Sequence, residues 1–173
     1  MAEATIREAG PVGMVTFRGD LGAEPVQRAL GEVAGLDLPE RGRAAIGART
    51  LLWMSPDELM LVCDRGEAGA LAADLSARLD GVHHLALDIS DARTVLVVEG
   101  AVREVLAKLA PVDLHPSVFP VGAFRRTRLN QVAAAFWLVS ETEARVICFR
   151  SVAEYVRKLL DISAEAPVAG LYD

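Results

Sequence analysis

Leu52-Trp53-Met54-Ser55-Pro56-Asp57-Glu58-Leu59-Met60-Leu61-Val62-Cys63 reads as two apolar strands joined by a tight turn. Pro56 presets the backbone of that turn, and Ser55 and Asp57 flank it as turn formers. The stretch decides the fold because it recurs. Phe136-Trp137-Leu138, followed by Ala144-Arg145-Val146-Ile147-Cys148, repeats it Trp for Trp and Cys for Cys. A second echo lies upstream: Leu30-Gly31-Glu32-Val33-Ala34-Gly35-Leu36-Asp37-Leu38-Pro39 returns loosely as Leu106-Ala107-Lys108-Leu109-Ala110-Pro111-Val112-Asp113-Leu114-His115-Pro116. The separation grows from one echo to the next, which puts a longer loop in the second copy, around residues 117–125. Self-similarity of this length signals two copies of one supersecondary unit, too few for a solenoid.

Periodicity fills in both copies. In the first, residues 13–21 read as a strand and 23–34 as a helix, with Val26, Ala29, Leu30 and Val33 at helical spacing before Gly35 stops it. Strands at 44–54 and 58–63 follow, then a helix at 66–79 with Leu71, Leu75 and Leu79 on one stripe, and a strand at 82–88. The order is β-α-β-β-α-β. The second copy has a strand at 93–99, a helix at 101–109 and a strand at 127–139 paired with one at 143–149. Its last helix begins at Ser151, three before Glu154 as in a capping box, and runs to about Leu160. Units of this kind lay helices on one face of an antiparallel sheet. The prediction is an α+β domain over residues 1–163 whose repeats, about 13–88 and 93–161, share one layered core. Residues 164–173 lack any period and read as a tail expected to order only against a partner.

A compact chain of 173 residues buries roughly 70% of its unfolded surface, so a core forms without staples. Met1-Ala2-Glu3-Ala4-Thr5-Ile6-Arg7-Glu8 has no basic region ahead of an apolar one, and no stretch approaches the roughly 18 apolar residues of a membrane span. The expectation is a soluble, cytoplasmic protein that does not engage a membrane. Cys63 and Cys148 stand apart in apolar runs, as buried thiols of a reducing compartment do. A formal net charge of −6 argues against a nucleic-acid binder. Hydrophobic residues make up 52% without counting the 14 glycines, so apolar surface is expected to remain after the core is filled, the mark of a protein interface. An alanine-rich composition that forms no patch is the plainer reading. Arg125, Arg126 and Arg128 cluster within one short run. They form either a solvated, salt-bridging face or, with Phe124, a candidate surface for an acidic groove on a partner.

Reactive residue types do not converge. His83 and His84 are adjacent, so on a strand they point to opposite faces and do not chelate one metal. His115, between Leu114 and Pro116, reads as a loop residue. Asp88, Ser90 and Asp91 lie between two strand patterns and are turn formers first. Gly19-Asp20-Leu21-Gly22 lacks the third glycine and the spacing of a dinucleotide fingerprint, and no P-loop lysine motif occurs. Trp53 and Trp137, at matching places in the two copies, are expected as symmetric core anchors. No catalytic, cofactor-binding or metal-binding residue is assigned.

The run Arg126-Thr127-Arg128-Leu129-Asn130-Gln131-Val132-Ala133-Ala134-Ala135-Phe136-Trp137-Leu138, continued by Val146-Ile147-Cys148-Phe149-Arg150-Ser151-Val152-Ala153-Glu154-Tyr155-Val156, resembles the gamma subunit family of heterotetrameric sarcosine oxidase. Leu87-Asp88-Ile89-Ser90-Asp91-Ala92-Arg93-Thr94 and Pro111-Val112-Asp113-Leu114-His115-Pro116 extend the resemblance over most of residues 50–160. In order, Leu87-Asp88-Ile89-Ser90, Val97-Val98-Glu99-Gly100-Ala101 and Leu129-Asn130-Gln131 also resemble the folate-binding domain of the related aminomethyltransferases. What the resemblance implies is a folate-domain-like fold and a place in a complex that demethylates sarcosine with oxygen. The products would be glycine, hydrogen peroxide and either formaldehyde or methylenetetrahydrofolate. It implies alpha, beta and delta subunits as partners, FAD, FMN, NAD and tetrahydrofolate on alpha and beta, zinc on delta, and no cofactor on this chain. Aminomethyltransferases follow their Leu-Asn-Gln/Glu element with Gly-Gly-Ile and acidic residues that engage the folate amine. Here Val132-Ala133-Ala134-Ala135-Phe136-Trp137 stands instead, without a carboxylate, so the implied role is structural. The alternative is a stand-alone folate-binding or one-carbon transfer protein with a pocket between the copies.

Overall fold

Each half of the sequence echo becomes a five-stranded antiparallel sheet backed by helices. The structure of the chain, a computed structural model, describes residues 4–167 together with Gly170 and Tyr172. It divides into two compact units, Pro11–Asp91 and Met1–Gly10 with Ala92–Asp173.

The unit Pro11–Asp91 runs β2 (Val12–Gly19), α1 (Glu24–Ala34), β3 (Ala44–Ile46), β4 (Thr50–Ser55), β5 (Glu58–Asp64), α2 (Ala68–Arg78) and β6 (His84–Asp88), with sheet order β3-β4-β5-β2-β6. Helix α1 buries Val26, Ala29, Leu30 and Val33, one stripe at helical spacing. Each large member contributes roughly 1.5–3 kcal/mol of burial. The helix stops where Gly35 takes a left-handed φ of 68° and its N–H returns to the Gly31 carbonyl, a closure that glycine makes without strain. The stripe packs with Val15, Phe17, Leu51, Leu59, Leu61 and Leu75. The opposite face of the sheet, at Met14, Leu52, Met60 and Val62, is buried as well. Strand β5 is therefore apolar along nearly its whole length instead of alternating. Close pairing leaves no room for a side chain at position 13, where a Cβ would run into the Asp64 carbonyl of β5.

The other unit contains β1 (Ala4–Glu8), β7 (Arg93–Gly100), α3 (Val102–Ala107), β8 (Phe124–Leu129), β9 (Val132–Ser140), β10 (Glu143–Phe149) and α4 (Ala153–Glu165), in the order β1-β7-β10-β9-β8. Read from the other edge, this is the order of the first sheet. Strand β8 stands for β3, β9 for β4, β10 for β5 and β7 for β2. The slot of β6 is taken by β1, from the opposite end of the chain. Hydrogen bonding repeats the exchange: Ile89 N–H donates to the Met14 carbonyl at 2.8 Å after β6, and Ala9 N–H donates to the Val95 carbonyl at 2.9 Å after β1. The sequence reading begins its first strand at residue 13 and leaves the second copy without the strand that closes the first. The missing strand lies at 4–8, too short and too charged to announce itself.

Several element boundaries differ from expectation. The strand predicted at 44–54 is a hairpin, because the chain reverses at 47–49, where the Gly47 N–H donates to the Arg49 carbonyl at 2.9 Å. The strand predicted at 127–139 is likewise two, folded at Asn130, which holds a φ of 53° that asparagine tolerates better than most residues. The capping box at Ser151 does not form. Arg150–Val152 makes a 3-10 turn and α4 starts one residue beyond it, with no side-chain cap. The helix also runs to Glu165, into the segment read as a tail. Lys108 Nζ satisfies its last carbonyls, donating to Ser163 at 3.1 Å and Ala166 at 3.0 Å. Val168, Ala169, Leu171 and Asp173 of that segment lie outside the described residues.

The two tryptophans are not symmetric. Register pairs Leu51 with Leu61 in one sheet and Phe136 with Val146 in the other, so Cys63 matches Cys148 while Trp53 matches Leu138. Trp53 accordingly faces the helices and stays partly exposed. Trp137 lies on the other face and is 1% exposed. The sequence echo was one residue out of step, and in a strand one residue exchanges the faces.

Candidate partner-facing surface

Phe124, Arg125, Arg126 and Arg128 all lie on β8, an edge strand of its sheet. Alternation separates them. Phe124, Arg126 and Arg128 lie opposite Trp137, Ala135 and Ala133, whereas Arg125 lies opposite Phe136 on the helix-facing side. Phe124 is buried, Arg125 partly exposed, and Arg126 and Arg128 exposed. The Arg125 guanidinium lies 5.4 Å from the centroid of the Phe119 ring and donates to the Phe124 carbonyl at 3.0 Å. Among the described residues neither Arg125 nor Arg128 has a carboxylate partner. Elsewhere pairing is common: Arg7, Arg18, Arg49, Arg65, Arg78 and Arg103 each contact one.

Beside β8 stands the long loop of the second copy, anchored by Leu114 and Phe119, both fully buried. Arg103, itself 6% exposed, donates at 2.7 Å to the carbonyls of both anchors and at 2.7 Å to Glu141. A buried guanidinium is costly unless its donors are used, and here they are. The sequence reading missed Arg103, because nothing in Ala101-Val102-Arg103-Glu104 distinguishes it from a solvated helix residue. Between the anchors, residues 115–118 are exposed, and the His115 ring meets the Ser117 hydroxyl at 2.7 Å. Val118 is 50% and Val121 37% exposed, large for valine.

The residues with reactive side chains are used structurally. Ser90, 1% exposed, accepts the Met14 N–H and donates to Asp88. That bond, helped by Arg65 and opposed by burial, holds the Asp88 carboxyl below the usual carboxylate range. Burial pushes the thiols of Cys63 and Cys148 up to about 11, which keeps them neutral and inert. His83 is exposed, and His84 stacks on Phe17 with centroids 6.0 Å apart. Asn130, in the Leu-Asn-Gln element, serves the hairpin: its N–H donates to the Leu109 carbonyl at 2.8 Å and its amide to the Tyr155 hydroxyl at 3.2 Å. Among the described residues no cluster of three or more His, Cys, Asp or Glu is placed to hold a metal. Two open clefts flank α1, one of about 610 Å³ and one of about 390 Å³ with Trp53 in its wall. Among the described residues no helix is long and apolar enough to cross a membrane.

Residues 18–165 match the sarcosine oxidase, gamma subunit family. The chain is similar to the sarcosine oxidase subunit gamma of Corynebacterium sp. (strain P-1), with 33% identity over 142 residues, 79% of this chain and 69% of that protein. In structure it is similar to a chain of the heterotetrameric sarcosine oxidase from Corynebacterium sp. U-96, solved in complex with pyrrole 2-carboxylate. The TM-score is 0.85 at 30% identity, covering 96% of this chain and 88% of that one. The glycine cleavage system aminomethyltransferase T from Bartonella henselae shares the fold, with a TM-score of 0.61 at 17% identity over 92% of this chain and 45% of that one.

Proposed function

The chain belongs to the sarcosine oxidase gamma subunit family, and from that membership we propose that it is a structural subunit of a heterotetrameric sarcosine oxidase with no reaction centre of its own. The observation that carries the proposal is the whole-chain likeness to a chain of such an enzyme, at a TM-score of 0.85. In the reaction, sarcosine, oxygen and water give glycine, formaldehyde and hydrogen peroxide, or the one-carbon unit passes to tetrahydrofolate. The partners proposed are alpha, beta and delta subunits, with FAD, FMN, NAD and tetrahydrofolate on alpha and beta and zinc on delta. The complex is proposed to be cytoplasmic.

Local chemistry supports the division of labour. From Val132 to Leu138 every side chain of β9 is apolar, and Ala134, Phe136 and Leu138 are spent on the core. The exposed end of β8, with Arg125, Arg126 and Arg128, is the surface proposed to meet a partner.

The test is to purify the tagged chain from its native host and identify what comes with it. Co-purification of flavin-bearing subunits with sarcosine-dependent hydrogen peroxide formation is the expected result. A solitary protein that binds tetrahydrofolate at micromolar concentration would replace the subunit reading with that of a folate-binding protein.

A further inference from the structure

One corner is filled in the second copy and open in the first. Both copies enter their edge strand, β3 or β8, through a left-handed glycine, Gly42 at φ 72° and Gly122 at φ 78°. The residue after each glycine accepts a hydrogen bond from the neighbouring strand: the Trp53 N–H donates to the Arg43 carbonyl at 3.2 Å, and the Leu138 N–H to the Ala123 carbonyl at 3.3 Å. The helices correspond as well, since α1 buries Val26, Ala29 and Leu30 where α3 buries Val102, Val105 and Leu106. Leu38 therefore matches Leu114, Trp53 matches Leu138, and Gln27 matches Arg103. Between Leu114 and Gly122 the second copy has residues 115–121, and it turns Phe119 inward. That ring is buried in one cluster with Leu114 and Leu138, its centroid 5.6 Å from that of Phe136, and Arg103 holds its carbonyl at 2.7 Å.

The first copy has only residues 39–41 in that interval, and none of them is aromatic. The counterparts of the residues around Phe119 wall an open cleft instead. Gln27, Leu38, Pro39, Trp53, Pro56 and Leu59 line about 390 Å³, within the range of binding clefts, roughly 300–1,000 Å³. Trp53 is partly exposed there. Resting on the subunit reading above, we infer that this cleft receives an aromatic side chain from a loop of a non-identical subunit, in the place that Phe119 holds in the second copy. The duplication itself shows what covers the site. Gln27, whose amide donates to the Leu21 carbonyl at 2.9 Å and has a second N–H to give, stands where Arg103 grips the backbone of the inserted loop. On the rim, the Arg41 guanidinium lies 5.9 Å from the Trp53 ring centroid and has no carboxylate partner among the described residues. Glu40 shares that rim, so it offers the incoming loop one charge of each sign. A second copy of this chain is a poorer donor, because its exposed rings are engaged: Phe149 under Arg93 at 4.0 Å and Tyr155 by the Asn130 amide at 3.2 Å.

The experiment is oxidative footprinting of tryptophan, read by mass spectrometry, on the full chain alone and on its complex with the subunit that co-purifies from the native host. Trp137, 1% exposed, is the unreactive reference in both. Trp53 is expected to oxidise in the chain alone and about fivefold or more slowly in the complex, as a residue sealed from water at an interface does. Two variants test the cleft itself. Trp53→Leu, which supplies the residue of the second copy, is expected to weaken capture of the subunit about tenfold. A graft of the sequence 115–121 in place of 39–41 is expected to seat the chain's own phenylalanine in the cleft, to protect Trp53 without a partner and to weaken capture at least as much. Melting temperature checks the fold of both, and Trp53→Leu carries the test if the graft melts early. A wild-type chain that captures no subunit overturns the subunit reading, and the docking site with it. Capture with Trp53 as reactive in the complex as in the chain alone overturns the docking site only, and so does capture by Trp53→Leu within about twofold of wild type. Protection of Trp53 in the wild-type chain alone that dialysis removes places a free ring compound in the cleft and also overturns the docking site.

Discussion

The backbone amide of Met14 donates to the hydroxyl of Ser90 at 2.9 Å, joining the strand that opens its unit to the turn that closes it. Ser90 is fully buried and passes its own proton toward Asp88, so one hydroxyl satisfies a donor and an acceptor at once. In Ser90→Ala the Met14 N–H loses its partner in a buried site. The expected loss of stability is about 1–3 kcal/mol. Urea denaturation of the purified chain measures it, and a midpoint equal to that of wild type would refute this role for the hydroxyl.

The same cluster makes stability depend on acid. Asp88 is held below its usual range by the Ser90 hydrogen bond and Arg65, and Glu67 is held down by its hydrogen bond to Arg49. A carboxyl with a depressed folded-state pKa contributes stability that is present above its unfolded value, about 3.9 for Asp and 4.3 for Glu. That contribution is lost as pH falls through the folded value. The urea midpoint of wild type is therefore expected to drop below about pH 4 more steeply than that of Asp88→Asn. The two proteins, separated at neutral pH, converge in acid. Parallel curves down to the acid limit would show that Asp88 contributes nothing to linkage.

Arg103 is the residue whose loss should loosen one loop. Arg103→Met keeps the apolar stem but leaves the carbonyls of Leu114 and Phe119 buried without a donor, at an expected cost of about 2–4 kcal/mol. Hydrogen exchange should rise across residues 114–121 well beyond its rise in β7 and β10. Arg103→Lys reaches with a single ammonium and is expected to recover part of the protection. Exchange raised uniformly over the unit would mean that Arg103 supports the core and not the loop.

What the sequence disclosed depended on how far apart the interacting residues lie. Helix α1 was legible because Val26, Ala29, Leu30, Val33 and Gly35 carry their own period and stop. The duplication was legible from Cys63 and Cys148. The step of one residue between Trp53 and Trp137 was not, because both strands are buried on both faces and an apolar run has no phase. The hairpin at Asn130 hid for a related reason: Thr127 and Val132 both look like strand, and the turn rests on one left-handed asparagine. Pairing of β1 with β7 joins residues at opposite ends of the chain, and no local pattern announces it. At the candidate surface the arginines were visible as a cluster. The loop anchored by Arg103 was not, since a buried and a solvated arginine read alike in sequence.

Cys63 and Cys148 occupy matching positions in the two sheets and both are buried, Cys63 within reach of the charges of Glu67 and Arg49 and Cys148 of that of Arg93. Burial raises both thiols to about 11, and for Cys148 the nearby Arg93 opposes the rise without cancelling it. At pH 7.5 the thiolate fraction of such a group is on the order of one in three thousand. The native chain is thus expected to stay silent toward a disulfide reagent such as Ellman's, and both thiols to react at once when denaturant is added. The same shift acts on stability at the alkaline end. An unfolded cysteine loses its proton near pH 8.5 while the native one keeps it to about 11, so native stability is full below the first value and falls between the two. Replacing both residues by alanine should flatten that alkaline decline while lowering stability at neutral pH through the lost packing. Rapid labelling of the native protein at neutral pH would contradict the sealed environment on which this rests.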